Sequence, residues 1–198
     1  MKRLHLGCFD KAVDGWVNTD VTPHLWVARV PFLAQAMRAT GRLSEERAEQ
    51  HRRGVFRKVR FLNVSKRFPF ADNTFEAVFT SHMLEHLFLD QARSCVSEAL
   101  RVLAPGGVLR IAVPDLDLLI ARYRPEDADA WAEGFFQVRD QAEGRHQHHW
   151  MYNETSLRAL LLDVGFSKVV RTSYRQGACP DLEILDNRPE SLFVEAFK

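Results

Sequence analysis

The stretch FEAVFTSHMLEHLFLDQARSCVSEALRVLAPGGVLRIAVPD, Phe75–Asp115, reads as a strand, a helix and a second strand. Phe75–Thr80 is a short apolar run of the kind that fills a buried strand. From Asp90 to Leu103, the apolar residues Ala92, Cys95, Val96, Ala99, Leu100 and Leu103 keep helical spacing, so one face of a helix is apolar. Pro105-Gly106-Gly107 ends that helix, and Val108–Val113 is again a short apolar run. Two strands joined through a helix make a crossover, the unit from which parallel sheets are built.

The same rhythm continues in both directions. Upstream, Arg3–Leu6, Trp16–Thr19 and Val59–Leu62 are strand candidates; downstream, a helix over Thr155–Val164 with Gly165 as its stop leads into strands Lys168–Tyr174 and Ser191–Phe197. Between the second and third strands lies a long excursion, Pro23–Lys58, with predicted helices Pro31–Thr40 and Ser44–Arg53, each followed by glycine. It reads as an insertion on the domain. The chain has 198 residues, 46% of them hydrophobic, which suits one domain over residues 1–198.

Composition narrows the function classes. A formal net charge of +1 supplies no global attraction to nucleic acid, so nucleic acid is not the expected partner. The three cysteines are an odd, widely spaced set without Cys-x-x-Cys, which suggests neither a disulfide framework nor a zinc ribbon. No apolar run reaches the roughly 18 residues of a membrane helix, and no signal-peptide core opens the chain. A soluble, cytoplasmic protein without a membrane span is expected; the oligomeric state is not legible.

Open α/β sheets bind ligands beyond the carboxyl ends of their strands. The residues there are Gly7-Cys8-Phe9-Asp10, Asp20, Asn63-Val64, Ser81-His82 and Pro114-Asp115. Together they describe a nucleoside-sized site. Gly7 permits a tight turn, Asp20 can accept from both hydroxyls of a ribose, and the Asn63 amide can meet an adenine edge.

These residues resemble a known family. The segments LHLGCFD, GWVNTD, RFPFADNTFEAVFTSHMLEHL, EALRVLAPGGVLRIAVPD and LRALLLDVGFSKV are similar to the successive motifs of class I S-adenosylmethionine (SAM) dependent methyltransferases, particularly small bacterial ones. The resemblance implies a Rossmann-like open sheet with helices on both faces, seven mostly parallel strands and an antiparallel C-terminal hairpin. It implies SAM as cofactor, bound by Gly7, Cys8, Phe9, Asp20, Asn63, Val64 and Ser81. Two positions depart from the family pattern: Phe9 replaces the second glycine of Gly-x-Gly, and Asn63 replaces an acidic residue. Asp20 follows Gly7 by only thirteen positions, as in a variant where a short loop replaces the first helix.

Methyl transfer from a sulfonium needs alignment and, for a hydroxyl or ammonium acceptor, a base. The resemblance sets His82 beside the methionine part of the cofactor, and Glu85 and His86 lie one helical turn further on, making these three the catalytic candidates. The segment HQHHWMYN, with His146, His148, His149, Trp150 and Tyr152, follows the amphipathic stretch Pro125–Ala142. The region 125–153 reads as a lid over a small-molecule or sugar-containing acceptor, with His149 and Tyr152 in contact with it. Its histidine spacing lacks the two-plus-two pattern of zinc sites, so no metal is expected. A catalytically silent SAM-fold partner protein stays open because of Phe9 and Asn63; a nicotinamide-dependent oxidoreductase stays open more distantly, for want of Gly-x-Gly-x-x-Gly.

Overall fold

The computed structural model describes residues 2–137 and 147–198. Seven strands, β1 (Lys2–Leu6), β2 (Trp16–Asp20), β3 (Val59–Phe61), β4 (Phe75–Ser81), β5 (Leu103–Pro114), β6 (Lys168–Thr172) and β7 (Ser191–Phe197), form one sheet in the order β3-β2-β1-β4-β5-β7-β6. β1 to β5 run parallel, while β7 lies antiparallel between β5 and β6. The chain order reverses between β1 and β4, so the ligand crevice of an open sheet falls above these two strands.

One face of the sheet carries α4 (Leu89–Val102) and α7 (Glu154–Val164). The face that α4 buries is Ala92, Cys95, Val96, Ala99 and Val102, and α7 adds Leu157, Leu160 and Leu161; they pack with Leu4, Leu6, Val78, Leu109 and Ile111 into the main core. Burying a Leu or Ile side chain contributes about 1.5–3 kcal/mol, so this face carries most of the cohesion. α7 starts where Asn153 accepts from the Ser156 amide and stops at Gly165, whose φ of 114° few other residues adopt. The opposite face is covered more thinly, by Val13, Trp16 and the one-turn α8 (Leu182–Leu185), over Ala77 and Phe79.

β5 begins at Leu103, earlier than the sequence suggests. Its pairing jumps from Phe75–Leu103 to Ala77–Val108, so Pro105-Gly106-Gly107 lies within an irregular strand start. A Cβ on Gly107 would stand 2.9 Å from the Ala104 carbonyl oxygen and 3.1 Å from that of Glu76, which explains the small residue there.

No helix separates β1 from β2. Asn18 fixes the loop instead: Oδ1 accepts from the Val13 amide at 2.9 Å, and Nδ2 donates to the carbonyls of Val13 and Trp16 at 2.9 and 3.1 Å. The excursion between β2 and β3 holds α1 (His24–Val27), α2 (Leu33–Ala39), α3 (Glu45–Arg52) and a 3-10 turn at Val55–Lys58. α2 and α3 are shorter at both ends than the predicted Pro31–Thr40 and Ser44–Arg53, because Ser44 stands outside its helix as the cap, accepting from the Arg47 amide. Beyond β5 come α5 (Leu116–Ala121), a 3-10 turn at Pro125–Asp127 and α6 (Ala128–Phe136). Among the described residues no helix is long and apolar enough to cross a membrane.

Candidate active site

The first strand ends build a cradle. Gly7 leaves β1 with φ at 65°, and a Cβ there would fall 2.6 Å from Met83 Cγ, so only glycine lets Met83 lie against the turn. Phe9 also has a positive φ, 44°, and its amide donates to Asp20 Oδ2 at 2.9 Å. Asp20 Oδ1 accepts from the Thr22 amide at 2.7 Å. A carboxylate has about four acceptor sites, so both oxygens keep capacity for a ligand's hydroxyls. Asn63 is exposed beyond β3, with Oδ1 accepting from the Ser65 amide at 2.9 Å, which leaves its NH2 group as a donor.

The Phe9 ring packs toward the excursion between β2 and β3. The Arg47 guanidinium sits 4.5 Å from its centroid, and His24 and Phe56 lie 6.1 and 6.2 Å away, so the ring packs against the excursion helices. Asp10 strengthens the same link, accepting from Arg47 at 2.7 Å and from Gln50 at 2.9 Å. The excursion therefore buttresses the turn.

The fourth strand end carries the titratable groups. His82 has a φ of 49°, strained for a residue with a side chain, and its amide extends the ladder to the Ala112 carbonyl at 2.9 Å. Its ring is held at both nitrogens: Nε2 lies 2.7 Å from Ser191 Oγ, and Nδ1 lies 3.3 Å from Glu85 Oε1. Glu85 is 1% exposed in a 3-10 turn, Leu84–His86, and its carbonyl accepts from the amides of His149 and Trp150 at 2.8 and 3.2 Å. The described part of segment 147–153 is thus fastened to the end of β4. A cavity of about 160 Å³ opens here, with His82, Ser191, Pro114, His148, Arg122 and Arg188 in its wall.

Residues 33–111 match the family model described as Methyltransferase domain. Among solved structures, a SAM-dependent methyltransferase from Archaeoglobus fulgidus superposes with a TM-score of 0.58 at 13% identity, over 100% of this chain and 86% of that one. One from Thermotoga maritima gives 0.54 at 13% identity, over 100% and 82%. Part of the sequence thus matches a methyltransferase domain, and the fold is that of SAM-dependent methyltransferases. None of the curated proteins matches the chain. At these identities the structural likeness is one of fold, while the family match covers the sequence from α2 into β5.

The methyltransferase match implies SAM as the cofactor, and the donor set at the strand ends fits it. Asp20 offers acceptors for a ribose, Asn63 a donor for a base, and the Phe9 ring packs under Arg47. Cys8 contributes only backbone on that side: its side chain is buried with Leu25 and Val59, and burial raises the thiol pKa to about 12. Val64 packs partly against the main core, and Ser81 is half-buried at the end of β4.

The acceptor-side residues are placed differently from one another. His82, Glu85 and His86 come together as the sequence suggests. His149 is exposed and stacks on Phe88 at 4.1 Å, away from the cavity wall, whereas His148 lines it. Tyr152 is 1% exposed within the main core, pairing by backbone with Asp115, and so is not in the cavity wall either. Burial, with Glu85 and Cys95 nearby, raises its phenol pKa. His146 lies outside the described residues. Met83 and Ser191 are residues of this region that sequence reasoning passed over, and His148, named there only as a member of the histidine group, lines the cavity in place of His149.

Proposed function

We propose that the protein transfers a methyl group to a small-molecule acceptor whose reacting atom enters the cavity beside His82. One observation carries this: the His82 ring is held between Ser191 and Glu85 in the cavity wall, at the strand ends next to the cradle of Gly7 and Asp20. SAM, when bound, supplies a methyl group already activated on a sulfonium. Asp20 and Asn63 hold the nucleoside part, and Gly7 with Met83 shapes the floor beneath it. Nε2 of His82 takes the proton of an acceptor hydroxyl or ammonium, while the Glu85 carboxylate, 3.3 Å from Nδ1, stabilises by its charge the imidazolium that forms.

The cavity is smaller than the roughly 300–1,000 Å³ of common ligand sites, which favours a small acceptor or the reacting end of a larger one, such as a sugar. Among the described residues, Arg122 and Arg188 in its wall have no ion-pair partner; of the carboxylates there, Asp115 is engaged by Arg171 at 3.2 Å and Glu190 has no ion pair, which leaves one positive charge in excess. An acceptor bearing a carboxylate or phosphate suits that surplus of positive charge. The test is a metabolite screen with a coupled assay for S-adenosylhomocysteine release. Turnover concentrated among hydroxyl or amine compounds bearing a carboxylate or phosphate is expected; turnover only with uncharged acceptors would overturn the acceptor assignment.

A further inference from the structure

Behind His82 three potential ligands converge. Glu85, His86 and His148 each bring one ligand atom to within 4.8 Å of the others. Glu85 and His148 are 1% and 8% exposed. Neither carboxylate oxygen of Glu85 has a hydrogen-bond partner among the described residues, and the 3.3 Å approach of His82 Nδ1 lacks hydrogen-bond geometry. A buried carboxylate without donors calls for a positive charge. The histidines are set to help supply its ligands. His86 Nδ1 donates to the Gln147 carbonyl at 3.1 Å and His148 Nδ1 to the Phe135 carbonyl at 2.8 Å, with the rings 4.9 Å apart. In each neutral imidazole the lone pair is then on Nε2. Backbone carbonyls that fix a histidine's tautomer in this way are a recurring feature behind metal-ligating rings.

We propose that Glu85, His86 and His148 bind one divalent transition-metal ion, of the zinc, iron(II), cobalt or manganese class. Two imidazoles and one carboxylate are a ligand set that such ions accept, and three protein ligands leave positions open for an outside group. His148 is shared between this set and the cavity wall, so the ion would lie beside the acceptor space. The ion polarises an acceptor oxygen and draws its proton toward His82. That role rests on the proposed function, but the binding of the ion does not. The site also explains why the segment carrying His148 is fastened to Glu85 through the His149 and Trp150 amides.

The test uses untagged, chelator-treated protein with no SAM or acceptor present, titrated with Co²⁺ and followed by visible absorption and by calorimetry with Zn²⁺. One equivalent per chain with d–d bands is expected. His148→Ala and the near-isosteric Glu85→Gln should each weaken uptake at least 10-fold, the second guarding against a folding defect in the first. The variant His24→Ala/His51→Ala removes the other close histidine pair, 3.0 Å apart under the excursion, and should bind as the parent does. Absence of stoichiometric uptake, or uptake unchanged in Glu85→Gln and lost with His24 and His51, would overturn the proposal. SAM affinity measured separately on the metal-free protein reports on the proposed function, so the two can fail independently.

Discussion

The Phe9 amide donates to Asp20 Oδ2 at 2.9 Å, which ties the turn after β1 to the end of β2 while the Phe9 ring stacks under Arg47. A residue that looks obstructive in the motif therefore supports the cradle. The positive φ at Phe9 serves the backbone bond, and the ring recruits the excursion between β2 and β3 as a buttress.

Phe9→Gly should relieve the backbone and forfeit the ring packing. The loss of the aromatic and cation–π contacts exceeds the roughly 1 kcal/mol gained from glycine, so stability should fall by about 1–2 kcal/mol in urea titration. SAM affinity by calorimetry should stay within about 3-fold of the parent. A collapse of affinity with unchanged stability would mean that the ring contacts the cofactor.

His82→Ala should lower turnover by about 10²–10⁴-fold, the usual contribution of a positioned base, with SAM affinity nearly unchanged. Ser191→Ala should cost much less, because Oγ only shares Nε2 at 2.7 Å. Single-turnover rates at saturating SAM separate the two. Full turnover in His82→Ala would reduce catalysis to alignment.

Tyr152 behaves as core in this account. Tyr152→Ala should destabilise the protein by about 3–5 kcal/mol, as large aromatic truncations do. Tyr152→Phe should be nearly neutral, since the buried hydroxyl has no hydrogen-bond partner among the described residues. Chemical denaturation checks both; a raised acceptor KM at unchanged stability would instead return Tyr152 to the acceptor pocket.

His5 sets an acid limit on stability. It is buried between Trp16 and Phe79, and desolvation lowers its pKa from 6.5 to about 4. The unfolded chain binds this proton first as pH falls. The contribution is therefore complete above pH 6.5 and declines between pH 6.5 and about 4, by about 3 kcal/mol in all. His5→Phe should flatten that part of the stability profile; an unchanged slope would assign the acid loss to other groups.

The elements visible in the sequence are those whose pattern is local. Ala92, Cys95, Val96 and Ala99 reveal α4 because burial follows its turn, and Asn153 with Gly165 mark the ends of α7. α1 is a single turn, too short for any periodicity to show. Gly7, Asp20 and His82 were legible as strand-end residues because the strands themselves show in the sequence. The choice of His148 over His149 was not, since it depends on the carbonyls of Phe135 and Phe136, distant in sequence. Tyr152 is similar: its place in the core follows from its backbone bridge to Asp115. Ser191 begins an ordinary strand, and only the antiparallel return of β7 beside β5 brings it to His82.

The most direct measurement is calorimetric titration of SAM into the parent and into Asp20→Ala. The account predicts saturable one-to-one binding by the parent and a 10- to 100-fold weaker affinity in the variant, corresponding to the about 1.5–3 kcal/mol of hydrogen bonds to a charged group, with the fold intact by circular dichroism. No binding by the parent at millimolar SAM, or equal affinity in the two proteins, would contradict it.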